Sequence, residues 1–221
     1  MTPVGFEPHS RQASDTRLDA HQVLTEWGPH PARRLKLSFE EPDDETLGRW
    51  LVACCLLAQR CPAARVAEVC GELERVGQGH PEKIWRGDVP TLATTLATSE
   101  VREPERVTAL LVRASTTLQE QHEGSLTRLG ERADDLEELA HRLSRLAPGV
   151  GRTSVMRFLQ PLRDAWPAAG ELPLDPAARA AAEHLGWIGP GADTEGSPSA
   201  LRTFLARDPK APALFEVEFA L

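Results

Sequence analysis

The sequence predicts an all-α chain. Apolar residues recur at helical spacing in several segments, as at Val107, Leu110, Leu111, Ala114 and Leu118. Segment starts carry helix-opening residues, Asp43–Asp44, Pro62, Pro104 and Asp175–Pro176. From Asp43 onward only the last few residues alternate as a strand would. At 221 residues and 24.2 kDa the chain is long enough to bury a core as one generous domain or two small lobes.

Residues 1–42 read as an N-terminal arm, rich in Pro, His and charge, with Leu35, Leu37 and Phe39 spaced for one short strand. Asp43 or Asp44 caps a helix through about Gln59, whose run WLVACCLLA is apolar on most sides. Pro62 opens a second helix, ending near Gly77 and Gly79. A shorter segment spans Val89–Ala97, and a long one runs from Pro104 to about Gln121. Ala133–Leu146 and Arg152–Trp166 follow, with Leu136, Leu139, Leu143 and Leu146 on one face of the first and Val155, Phe158, Leu159 and Leu162 on one face of the second. Pro176–Trp187 and Pro198–Ala206 read as helices, with a loop between Gly189 and Pro198. The final ALFEVEFAL fits a strand or a helix.

Charge and composition narrow the function classes. The formal net charge is −8, so any nucleic-acid contact must use a local basic patch. No apolar run approaches the ~20 residues of a membrane span, and MTPVGFEPHSRQASD lacks the pattern of a secretory signal. The expectation is a cytoplasmic protein without a membrane partner. There is no Tyr, and only Lys36, Lys83 and Lys210 supply side-chain amines. Cys54, Cys55, Cys61 and Cys70 have neither zinc-knuckle nor iron–sulfur spacing, and two of them sit in an apolar run. They read as buried thiols, with no metal and no cofactor expected.

The informative segment is Ala133–Trp166, in which two amphipathic helices flank Pro148-Gly149-Val150-Gly151. Pro148 ends the first helix and Val150 plugs the joint. Gly149 and Gly151 permit a turn with positive φ at both and leave the backbone bare. Amides at such a turn, beside a helix N-terminus, suit one phosphate. Over His141–Trp166 the chain carries Arg142, Arg145, Arg152, Arg157 and Arg163 against Asp164 alone, which is the basic patch required.

This hairpin resembles the helix-hairpin-helix of the endonuclease III-like DNA glycosylases. LPLDPAARAAAEHLGWI, whose Asp175 lies 24 residues past Gly151 of the hairpin turn, is similar to the family stretch that carries the catalytic Asp. CCLLAQ is similar to the segment whose Gln fills the gap left by an extruded base, here Gln59. The resemblance runs from about Asp43 to the end of the chain and implies a two-lobed helix-hairpin-helix fold over 43–221, with the hairpin at 133–166. It implies that one damaged or mismatched base is flipped from double-stranded DNA and its glycosidic bond broken. Bifunctional members carry a Lys two residues past the second hairpin Gly; Thr153 stands there and cannot form a Schiff base. The resemblance therefore implies a monofunctional glycosylase acting as a monomer. Asp175 would be catalytic and Thr153 would line the pocket. Gln59, Gly149, Val150, Gly151, Arg145 and Arg152 would contact DNA. The sequence also departs from the family pattern: Ala147 replaces the usual Leu before Pro148, and Thr-His does not follow Asp175.

Each residue has a plainer reading. Asp175 before Pro176 is a standard helix start. Gln59 is a helix-terminal polar residue, Thr153 an ordinary early-helix threonine, and Gly149 and Gly151 what any tight helical hairpin needs. Two alternatives to an enzyme stay open: a non-catalytic DNA-binding relative, and a helical protein-interaction domain.

Overall fold

The computed structural model describes residues 20–27, 30–189, 197–208 and 210–221, and these contain helices and no strand. In chain order the helices are α1 (Ala20–Trp27), α2 (Pro31–Arg34), α3 (Asp44–Ala58), α4 (Ala63–Arg75), α5 (Pro81–Arg86), α6 (Val89–Thr98), α7 (Pro104–His122), α8 (Leu126–Glu131), α9 (Leu136–Ser144), α10 (Arg152–Leu159), α11 (Pro176–His184), α12 (Ser197–Leu205) and α13 (Leu214–Ala220). Two short 3₁₀ turns, Gln160–Leu162 and Pro167–Ala169, separate α10 from α11. Residues 1–19 of the expected arm, and most of the loop read between Gly189 and Pro198, lie outside the described residues.

Helix starts are chemically marked. Asp43 accepts from the Thr46 amide at 2.8 Å to cap α3, Asp88 from the Thr91 amide at 2.9 Å to cap α6, and Ser125 from the Arg128 amide at 3.1 Å to cap α8. The structure adds four helices that the sequence reading does not separate from arm or loop: α1 and α2 within the expected arm, and α5 and α8, each only six residues long. The helix expected over Arg152–Trp166 stops at Leu159, because Pro161 cannot donate the next helical hydrogen bond.

Two apolar cores hold these helices. The larger joins α2 through α10, with Trp50, Leu47, Leu56, Leu73, Leu111 and Phe158 fully buried. The indole of Trp50 donates to the Phe158 carbonyl at 3.1 Å, which fixes α10 across α3. A smaller core lies between α1 and α11–α13 around Val23, Ala182, Trp187, Leu201 and Val217. The connection 172–175 serves both: Leu172 enters the large core and Leu174 the small one.

The strand expected at Leu35, Leu37 and Phe39 does not form. Leu35 ends α2, Lys36 turns the chain back with φ +56°, and the Leu37 amide returns to the Ala32 carbonyl at 3.0 Å. His30, Ala32, Leu35 and Phe39 are buried, so this part of the expected arm belongs to the core. The ambiguous C-terminus is the helix α13. Its alternation misleads because Glu216 and Glu218, which a strand would turn to solvent, are themselves buried against Arg33 and Arg163.

His30 gives the fold an acid-side weakness. Its ring packs against Trp50, Phe215 and Phe219, with ring centroids 4.6–5.2 Å apart, and its Nδ1 accepts from the Ala32 amide. Burial pushes its pKa from 6.5 to about 3. Below pH 6.5 the unfolded chain takes up a proton that the folded chain refuses. Stability should therefore fall with decreasing pH by about 1.4 kcal/mol per unit between those two values. The melting temperature is expected to drop from pH 7 to pH 5, and His30→Asn, which keeps an acceptor for the cap, should flatten that slope. His122 is also lowered, first by burial and then by Arg142 and Arg132, so some slope should remain. An unchanged slope in the variant would show that His30 is not the group responsible.

Candidate functional site

The hairpin is built as its sequence demands. Asp135 caps α9 through the Glu138 amide at 2.8 Å, and Leu139 and Leu143 of that helix and Leu146 just beyond it are buried. In α10, Val155, Phe158 and Leu159 are buried. The Val150 amide donates to the Ala147 carbonyl at 3.1 Å, and the Val150 side chain is buried in the joint. Gly149 has φ +104°, a conformation that only glycine adopts without strain. Gly151 does not take the positive φ expected of it. Its φ of −85° suits any residue, and a Cβ there would meet nothing within 4 Å. What it contributes is bareness: no side chain caps α10, so the first amides of that helix face the exposed turn.

The charge around the turn is not the five-arginine patch expected. Arg163 is buried and paired with Glu218, Arg142 pairs with Glu138, and Arg157 is half-buried. Arg145 and Arg152 are exposed and make no ion pair among the described residues. Two cations that sequence reasoning missed replace the lost ones. Arg106 and Arg113 project from α7 into a cleft of about 420 Å³ that also takes in Gln59, Leu110, Pro148 and Gly149. Their spacing of seven residues on the face that carries Leu110 was the available signal. Arg113 makes no ion pair among the described residues, whereas Arg106 pairs with Glu103 at 3.2 Å. Gln59 ends α3, half-buried. The structure thus brings Gln59 and the hairpin tip, 90 residues apart in sequence, into one basic cleft.

Thr153 and Asp175 do not line that cleft. Thr153 is exposed in the first turn of α10. Asp175 is exposed and caps α11, its Oδ1 accepting from the Ala177 amide at 2.9 Å. Its own amide donates to Glu218 Oε1 at 2.7 Å. On the other flank of the hairpin a groove of about 580 Å³ sets Arg152 opposite Asp135, Glu138 and His141.

The four cysteines are free and buried. Burial raises every one of their thiol pKa values, those of Cys55 and Cys70 to about 12. Cys54 and Cys55 are neighbours on one helix and point about 100° apart. Thiols that diverge in this way, with no third ligand grouped beside them among the described residues, do not fit an iron–sulfur cluster. Among the described residues no three His, Cys, Asp or Glu side chains are grouped to hold a metal ion.

No protein-family model matches the chain, and no curated protein matches it. Among solved structures it is similar to a trapped endonuclease III–DNA covalent intermediate, an estranged-adenine complex. The two are 18% identical, the similarity covers 92% of this chain and 83% of that one, and the TM-score is 0.45.

Proposed function

We propose that this chain is a DNA base-excision protein, a monofunctional glycosylase of the endonuclease III-like helix-hairpin-helix class. The observation that carries the reading is the shared cleft: Gln59, Arg106, Arg113 and the Pro148–Gly149 tip converge there. The bare amides at Gly151 and the start of α10 would hold one backbone phosphate, with Arg145 and Arg152 beside it. Gln59 would enter the space vacated by the flipped base. Asp175 would stabilise positive charge on the sugar and orient or deprotonate the attacking water. Thr153 offers no amine, so strand cleavage through a Schiff base is not expected. The partner is double-stranded DNA, the protein acts as a monomer, and the compartment is that of the DNA, the cytoplasm. Among the described residues no helix is long and apolar enough to cross a membrane.

The test is a panel of duplexes, each with one lesion or mismatch, followed by alkali to reveal abasic sites. Base release from at least one duplex is expected, and borohydride should trap no covalent adduct on an abasic duplex. A trapped adduct would end the monofunctional assignment. Binding without release across a broad panel would favour a second reading, a DNA-binding relative without catalysis. Two observations speak for that second reading: the Asp175 carboxylate is already engaged as a helix cap, and it does not line the cleft that holds Gln59 and the hairpin tip.

A further inference from the structure

The ion pair between Arg163 and Glu218 is the most deeply buried pair of charges among the described residues, its side chains 1% and 0% exposed. Taking two charges out of water costs several kcal/mol each before any attraction repays it. The hydrogen bonds it makes show what it holds. Arg163 Nε donates to the Leu172 carbonyl at 3.0 Å, and Nη2 to the Pro173 carbonyl at 2.9 Å. Both terminal nitrogens of Arg163 donate to Glu218, and Glu218 Oε1 accepts the Asp175 amide at 2.7 Å. Every backbone group the pair engages therefore belongs to Leu172, Pro173 or Asp175. In that non-helical segment the Leu172 amide donates to the Ala169 carbonyl and the Asp175 carbonyl accepts from the Arg179 amide, while the Leu172 and Pro173 carbonyls and the Asp175 amide are the groups that the pair satisfies. Leu172 and Leu174 anchor it on the two cores, and the ion pair fixes the polar backbone between them.

We infer that Arg163 and Glu218 are positioning residues for Asp175, setting its main chain from two distant elements so that its carboxylate stands in one place. The inference rests on the proposed function, in which Asp175 is the catalytic carboxylate. The chemistry suits the task. The planar guanidinium meets two carbonyls and a carboxylate in a fixed fork, which an ammonium cannot do. Its charge also cancels the negative charge that Glu218 would otherwise place beside Asp175. Simple anchoring of α13 would need only the Arg163–Glu218 contact. It would not need the three bonds to the segment that ends in Asp175.

Two variants attack the device from opposite sides. Glu218→Gln keeps an acceptor for the Asp175 amide but removes the charge that holds Arg163. Arg163→Lys keeps the charge but loses the fork to Leu172 and Pro173. Single-turnover base release is measured at saturating protein, per folded molecule, beside the duplex dissociation constant and the Asp175 amide exchange rate. Release should slow on the order of 10–100-fold in both variants, the cost of misplacing a reacting group by about 1 Å. Duplex affinity should be unchanged and Asp175 amide exchange faster. A purely structural pair would lower the folded fraction and leave the rate per folded molecule intact, which would overturn the inference. Failure of both variants to fold would overturn it too, since the pair would then be a folding element. If the wild type releases base and Asp175→Asn abolishes release while both pair variants keep the full rate, the positioning role alone falls. If the wild type releases no base, or Asp175→Asn releases it normally, the functional reading falls and takes this inference with it.

Discussion

Asp175→Asn is expected to abolish base release while leaving duplex affinity equal or higher. The amide is isosteric with the carboxylate but carries no charge to set against an oxocarbenium-like sugar, and it cannot take a proton from water. Loss of such a group costs roughly 10²–10⁴-fold in rate. Affinity should not suffer, because a negative charge near phosphate has been removed. The fold should hardly register the change, since Asn caps a helix about as well as Asp and the Ala177 amide keeps its acceptor. Asp175→Ala separates the roles from the other side. It removes the cap as well and should cost about 0.5–2 kcal/mol of stability. If Asp175 only starts α11, Asp175→Asn releases base at the wild-type rate and only the alanine variant shows a defect, in its melting temperature.

The helices were legible because their signals are local. Asp43, Asp88, Asp135 and Asp175 each cap the helix they precede. The Val107–Leu118 stripe of α7 is buried where its spacing places it. The hairpin turn was legible because Gly149 and Val150 do local jobs, one of conformation and one of packing. Charge was not legible in the same way. Five arginines close in sequence are dispersed by folding, and Arg163 passes inward because its partner, Glu218, arrives from 55 residues away. No window on the sequence contains that pair. The basic cleft is assembled the same way, from α3, α7 and the hairpin tip. Buried carboxylates misled at the C-terminus for the same reason, since Glu216 finds Arg33 across 183 residues. Short helices escaped because six residues, as in α5 and α8, show less than two turns of periodicity.

Gly151→Ala should weaken duplex binding without changing stability. This separates a phosphate site from a merely structural turn. A Cβ at Gly151 meets no protein atom within 4 Å, and φ of −85° is open to alanine, so the melting temperature should stay put or rise slightly. The added methyl group nevertheless stands where a phosphate would approach the bare amides of α10. Gly149→Pro is the disruptive counterpart, because φ of +104° is closed to proline, and it should lose both the turn and the binding. Arg145→Ala with Arg152→Ala completes the series. Both side chains are exposed and free of ion pairs among the described residues, so the fold should tolerate their loss. The slope of log affinity against log salt should become shallower by about 0.9 for each phosphate contact removed. Arg113→Ala should add a further step of the same size if the cleft and the hairpin follow one strand. Binding that ignores salt in the wild type, or Gly151→Ala and the double arginine variant binding as tightly as the parent while folded, would remove the hairpin from the DNA interface.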